Sequence, residues 1–167
     1  LFEDEKPAYV EKPADELYNR GVDMMTGRRF VDSARTFEEV ERQHPYSVWA
    51  TKAQLMAAYG YYKSNNYQEA ISALDRFIQL HPTNPDVGYA YYLKGLAYYE
   101  QISDVTRDQQ MTTLALQSLK EVVTRFPDSK FARDAKFKIE LTYDHLAGKE
   151  TSLNPLGMVE ALADAMK

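Results

Sequence analysis

The chain contains no cysteine. Disulfides, thiolate nucleophiles and thiolate metal sites are therefore excluded, and the redox compartment cannot be read from thiols. Glycine is scarce, with 7 copies in 167 residues. None of it forms a phosphate-cradling loop or a dinucleotide-binding turn, and the G-x-S-x-G and H-E-x-x-H patterns are also missing. Positive charge is not in excess: 20 Lys and Arg stand against 25 Asp and Glu, a net charge of −5. That balance argues against non-specific nucleic-acid binding, which needs a basic footprint. No apolar run reaches the roughly 18 residues of a membrane span. No signal-peptide pattern is seen, and the abrupt start at Leu1 leaves room for a targeting segment that has been removed.

What is present is an ordinary folded composition, 44% apolar and 27% charged, in a chain long enough for one domain with a core. Residues 1–13 hold two prolines, charges of both signs and no period, which reads as an extended leader in which Pro13 serves as the first helical residue. Beyond it, apolar periodicity predicts helices over 14–26, 30–43, 48–64, 67–80, 85–102, 109–125 and 129–147, and a last one over 156–166. The breaks "TGRR", "HPYS", "SNN", "HPTNP", "ISDVTRD" and "FPDS" are turn and cap chemistry. Asn84-Pro85-Asp86 is expected to start a helix, and Asp128-Ser129 offers a second cap.

Three segments share one shape. His44-Pro45, His81-Pro82 and Phe126-Pro127 each close an apolar-periodic run. The prolines are 37 and then 45 residues apart. A helix pair of about 34 residues plus a linker fits the first gap. The extra eight residues fit at "ISDVTRDQ", as a loop inserted between the two helices of the third pair. In that register, small residues recur in the first helices at Gly21, Ala58 and Gly95 and in the second at Ser33, Ala70 and Ala115. Bulky partners follow at Phe37, Leu74 and Leu119. Small against large lets two helices approach at ~8–10 Å. The result is an all-α solenoid of antiparallel helix pairs that resembles the tetratricopeptide repeat, with about three repeats (14–47, 48–84, 85–128), a partial fourth (129–150) and a capping helix. Residues 151–167 read either as an atypical C-terminal helix or as an appended tail.

His44 and His81 occupy equivalent positions. A residue before proline is pushed out of the α region, so these are the exit residues of second helices rather than metal ligands. Adjacent repeats stand at least ~8–10 Å apart, too far for two nitrogens to share one ion at ~2.0–2.1 Å. Of the 13 tyrosines, nine lie from Tyr59 to Tyr99. Helical spacing assigns Tyr18, Lys52, Leu55, Tyr59, Tyr62, Lys63, Tyr89, Tyr92, Leu96 and Tyr99 to the concave face. Tyr61, Tyr91 and Tyr98 are assigned nearer the helix-pair core. An aromatic stripe at helical spacing is usually core, but this density also suits a groove that reads an extended peptide. Trp49, the single tryptophan, is either an anchor in that groove or a wedge between repeats. Asp144, His145, Lys149 and Glu150 form a solvated helix end rather than an acid–base centre, since no nucleophile is nearby.

The long segment "LDRFIQLHPTNPDVGYAYYLKGLAYYEQI", then "DQ" and "FPDSKFARDA", together with "VERQHPYSVWATKAQLMAAYGYYK", is similar to the BamD family, in its alphaproteobacterial form, over about 6–150. BamD proteins are tetratricopeptide lipoproteins of the machine that assembles outer-membrane β-barrels. The resemblance implies a non-catalytic scaffold without cofactors on the periplasmic face of the outer membrane. It would be anchored by a lipidated N-terminal cysteine that these residues do not include. It implies binding to the periplasmic domains of the barrel-forming subunit BamA, to other lipoproteins of the machine, and to C-terminal signals of nascent outer-membrane proteins. By position, Tyr59, Tyr62, Tyr89 and Tyr92 are expected at the peptide, with Lys52 or Lys63 facing a terminal carboxylate. The "TSLNPLGMVEALADAMK" stretch departs from the family, which continues into further repeats, and puts BamA binding by these residues in question. A rival reading is another periplasmic repeat adaptor, such as the Tol-linked coordinator of envelope constriction.

Overall fold

The computed structural model of the chain describes residues 12–102 and 109–146. Within them lie α1 (Ala14–Thr26), α2 (Phe30–Gln43), α3 (Val48–Lys63), α4 (Tyr67–Leu80), α5 (Val87–Tyr99), α6 (Gln110–Arg125) and α7 (Lys130–Leu146). No strand occurs among the described residues. Each helix packs on the next in the chain, and the first helices of successive pairs also touch: α1 with α3, α3 with α5, and α5 with α7. This is the tetratricopeptide-like solenoid that the repeats predict. The expected 156–166 helix, most of the leader and most of the inserted loop lie outside the described residues.

The proline punctuation has one geometry. His44, His81 and Phe126 are the C-caps of α2, α4 and α6, with φ of −133°, −131° and −130° and ψ of 60°, 55° and 55°. Their N–H groups donate to the carbonyls of Val40, Phe77 and Val122. Their own carbonyls accept from Ser47, Asn84 and Ser129 three residues on. One turn is thus built three times because proline prevents the helix from continuing. Nothing in it depends on imidazole, since a phenyl ring serves equally in the third copy.

Two helix starts differ from expectation. Asn84 Oδ1 accepts from the Asp86 N–H at 2.8 Å, which makes an Asx turn that delays α5 to Val87. Pro13 caps α1 from just outside it rather than opening it. The side chains of Ser47 and Ser129 cap α3 and α7, accepting from Trp49 N–H at 3.0 Å and Ala132 N–H at 3.1 Å.

The helix crossings follow the small-to-large register. A methyl group on Gly95 would meet Leu119 Cδ2 at 2.9 Å, and Ser33 Oγ donates to the Gly21 carbonyl at 2.7 Å. Gly60 plays the same part between pairs: a Cβ there would meet the Phe30 carbonyl oxygen at 2.8 Å. Such contacts hold successive helices at close range.

Candidate functional site

Helices α3 and α5 lie at the centre of the stack and are apolar on nearly every side. From Ala53 to Gly60 every residue is buried. A helix that is apolar all round is an interior helix, and this decides where the tyrosines go. Leu55, Tyr59, Tyr62, Tyr89, Tyr92, Leu96 and Tyr99 are all buried, and so is Tyr18 on α1. The expectation of an open groove lined by these rings is therefore corrected. They fill the seams between first helices.

The seams can be followed ring by ring. Tyr18 of α1 sits 5.2 Å from Phe37 and 4.9 Å from Trp49, centroid to centroid. Trp49 is half-buried at the head of α3 and acts as the wedge between the first two pairs. Tyr92 stacks on Phe131 of α7 at 5.6 Å, and Tyr89 meets the same ring at 5.8 Å. Tyr62 donates to Glu100 at 3.0 Å and packs edge-on to Tyr67. Burial raises the Tyr18 hydroxyl to about 12 and raises Tyr99 as well, helped by Glu100, so these phenols stay neutral. Each such ring contributes roughly 1.5–3 kcal/mol through burial.

The accessible part of the expected site is small. Lys52 is half-buried, with its ammonium 6.0 Å from the Tyr18 ring centroid. It borders a recess of about 180 Å³ with Val48, Thr51, Asn84 and Asp86. Lys63 does not share this face: it lies over the Phe30 ring of α2 at 5.7 Å. Conversely Tyr61, Tyr91 and Tyr98, expected nearer the core, are the more exposed tyrosines of α3 and α5. Tyr61 turns outward to donate to Glu38 of α2 at 2.9 Å, and Tyr91 lies beside Phe126 under the Arg125 guanidinium.

Sequence reasoning missed a buried ion pair. Asp134 and Lys138 of α7 approach to 3.4 Å with neither side chain exposed. The Lys138 ammonium lies 5.6 Å from the Tyr99 ring centroid. Desolvation raises the Asp134 carboxyl above its usual range against the pull of Lys138. A signal existed: the two charges are four apart on the stripe that also carries Ala135, Leu141 and Thr142, all buried. Asp144 and His145 end α7 half-buried, while Lys149 and Glu150 lie outside the described residues. No group of three or more metal-ligating side chains occurs among the described residues. None of the described helices is long and apolar enough to cross a membrane.

The YfiO family, described as outer membrane lipoprotein, matches residues 10–155. The chain is similar to the outer membrane protein assembly factor BamD of Caulobacter vibrioides, 47% identical over 87% of this chain and 48% of that protein. It is similar to the BamD of Rickettsia prowazekii, 44% identical over 84% of this chain and 56% of that one. The BamD of Neisseria meningitidis serogroup B is 33% identical over 83% and 56%. The chain spans about half the length of the curated relatives it matches. With more than four fifths of its residues matched by an alphaproteobacterial pair at such identity, it belongs to the YfiO/BamD family of outer membrane lipoproteins.

Proposed function

We propose that this chain is the repeat region of a non-catalytic scaffold for outer-membrane protein assembly. It works at the periplasmic face of the outer membrane, held there in the full-length protein by an N-terminal lipid. It binds C-terminal signals of unfolded outer-membrane proteins and, with the rest of its protein, BamA and other lipoproteins of the machine. The observation that carries this reading is the 47% identity, along 87% of the chain, to a protein named as an assembly factor. The fold supports it, because helix-pair solenoids present extended surfaces for other chains.

Of the residues first assigned to peptide contact, Trp49, Lys52 and Lys63 keep accessible surface. Lys52 beside its recess is where a terminal carboxylate is received. The buried tyrosines set the spacing of the helices that carry it. Titration of an aromatic-ending C-terminal peptide, followed by fluorescence anisotropy, tests this. The native peptide is expected to bind more tightly than a scrambled one, and Lys52→Glu is expected to weaken it about tenfold or more. Equal binding of native and scrambled peptides overturns the reading.

A further inference from the structure

The first helices touch one another along the stack, whereas α2 and α4 leave a groove of about 790 Å³ between them on the opposite side. Its floor is apolar: Tyr61 reaches through from α3, beside Pro45 and Ala73. Its walls carry four carboxylates, Glu38, Glu39 and Glu41 of α2 and Glu69 of α4, against two guanidiniums, Arg42 and Arg76.

The charges are not evenly matched along it. Arg76 of α4 bridges to Glu41 of α2 at 2.5 Å, and Arg42 pairs with Glu39 at 2.7 Å. Glu39 is held down to about 2 by hydrogen bonds from Arg42 and then Gln43. Both guanidiniums are thereby committed to two of the carboxylates. The other two, Glu38 and Glu69, are exposed and pair with no cation among the described residues. Glu38 accepts from the Tyr61 hydroxyl at 2.9 Å, and Glu69 lines the same groove from α4. Burial first, then the Glu38 hydrogen bond and charge, with Glu69 adding to them, push that phenol up to about 12, and Arg35 acts in the opposite sense.

We propose that this groove docks a basic segment of a partner protein, with an arginine or lysine side chain lying over Tyr61 between Glu38 and Glu69. A cation there finds two carboxylates and an aromatic ring at once. The apolar floor and the volume of about 790 Å³ suit several residues of chain rather than a single ion, and the surplus of negative charge selects the sign. This surface lies away from Lys52 and its recess, so it is independent of the peptide site proposed above.

The test uses the whole 167-residue chain and a fluorescein-labelled peptide alternating arginine and leucine. Binding is read by anisotropy and mapped by amide chemical shifts. The basic peptide is expected to bind, more weakly as salt is raised, with shifts confined to α2, α4 and the end of α3. The double variant Glu38→Gln/Glu69→Gln is expected to weaken it about five- to tenfold. Asp128→Asn/Glu140→Gln makes the same change of charge at the far end of the stack and is expected to leave binding intact. All four side chains are exposed, and thermal melts confirm that both variants fold. The proposal is overturned by absence of binding, by shifts that map elsewhere, or by equal losses in both variants, which would mean diffuse attraction to an acidic chain.

Discussion

Lys138 and Asp134 face each other at 3.4 Å inside the joint between α5 and α7, with no exposed surface on either charge. Among the described residues, no hydrogen-bond partner reaches the Lys138 ammonium or either Asp134 oxygen, so the pair rests on charge alone. A buried pair with so few supporting bonds gains less from attraction than it loses by desolvation. Replacing both with apolar residues, Asp134→Leu/Lys138→Met, is expected to leave stability unchanged or raise it by about 1–4 kcal/mol. Lys138→Met alone is expected to cost about 3–5 kcal/mol, because it strands a carboxylate. Urea unfolding of the three proteins at neutral pH measures both.

The same pair carries a pH dependence. The folded-state pKa of Asp134 is raised above its usual 3.8, so the folded chain holds more protons than the unfolded one in the window just above that value. Stability contributed at this position is therefore greatest below the unfolded pKa and falls as pH rises through the folded one. The stability of wild type relative to the double variant is expected to decline as pH climbs from below 3.8. A flat difference across that range would show that the carboxyl is not desolvated.

Backbone contact separates two glycines. A Cβ on Gly60 meets the Phe30 carbonyl at 2.8 Å, an atom that cannot swing aside, while Gly27 has nothing closer than 3.5 Å and an ordinary φ of −77°. Gly60→Ala is expected to cost about 1–3 kcal/mol through overpacking. Gly27→Ala is expected to gain about 0.4–1 kcal/mol by restricting the unfolded chain. Midpoints of chemical denaturation distinguish the two.

Two serines hold helix heads. Ser47→Ala and Ser129→Ala each remove the acceptor for a first-turn N–H and are expected to cost about 0.5–2 kcal/mol. Ser129→Asp restores an acceptor and is expected to recover most of the loss. Thermal unfolding of the three variants reads the difference.

The hydroxyl of Tyr92 is buried with no hydrogen-bond partner among the described residues, whereas that of Tyr62 donates to Glu100. Tyr92→Phe keeps the ring on Phe131 and is expected to be neutral or stabilising by about 1 kcal/mol. Tyr62→Phe is expected to cost about 0.5–1.5 kcal/mol. Both variants should bind the C-terminal peptide as wild type does, because neither ring lies on the accessible surface.

The sequence by itself determined the number and order of the described helices, the proline-closed ends of α2, α4 and α6, the repeat register and the crossings, though not the start of α5. These rest on local rules: proline stops a helix wherever it stands, and Gly21 against Phe37 or Gly95 against Leu119 is a match of sizes at fixed spacing. Tertiary structure decided which tyrosines face outward. Adjacent helical residues are about 100° apart, so Tyr59, Tyr61 and Tyr62 point to several sides of α3, and periodicity ranks the sides only when one is polar. From Ala53 to Gly60 no charge marks a wet side, and that absence was the sign that neighbours cover the helix all round. Only the packed neighbours show that Tyr59 and Tyr62 are enclosed while Tyr61 meets Glu38 at the floor of an open groove. The Asp134–Lys138 pair was decided in the same way. Its i, i+4 spacing also suits a solvated helix face, and only the burial of that face against the stack turns it into an interior ion pair.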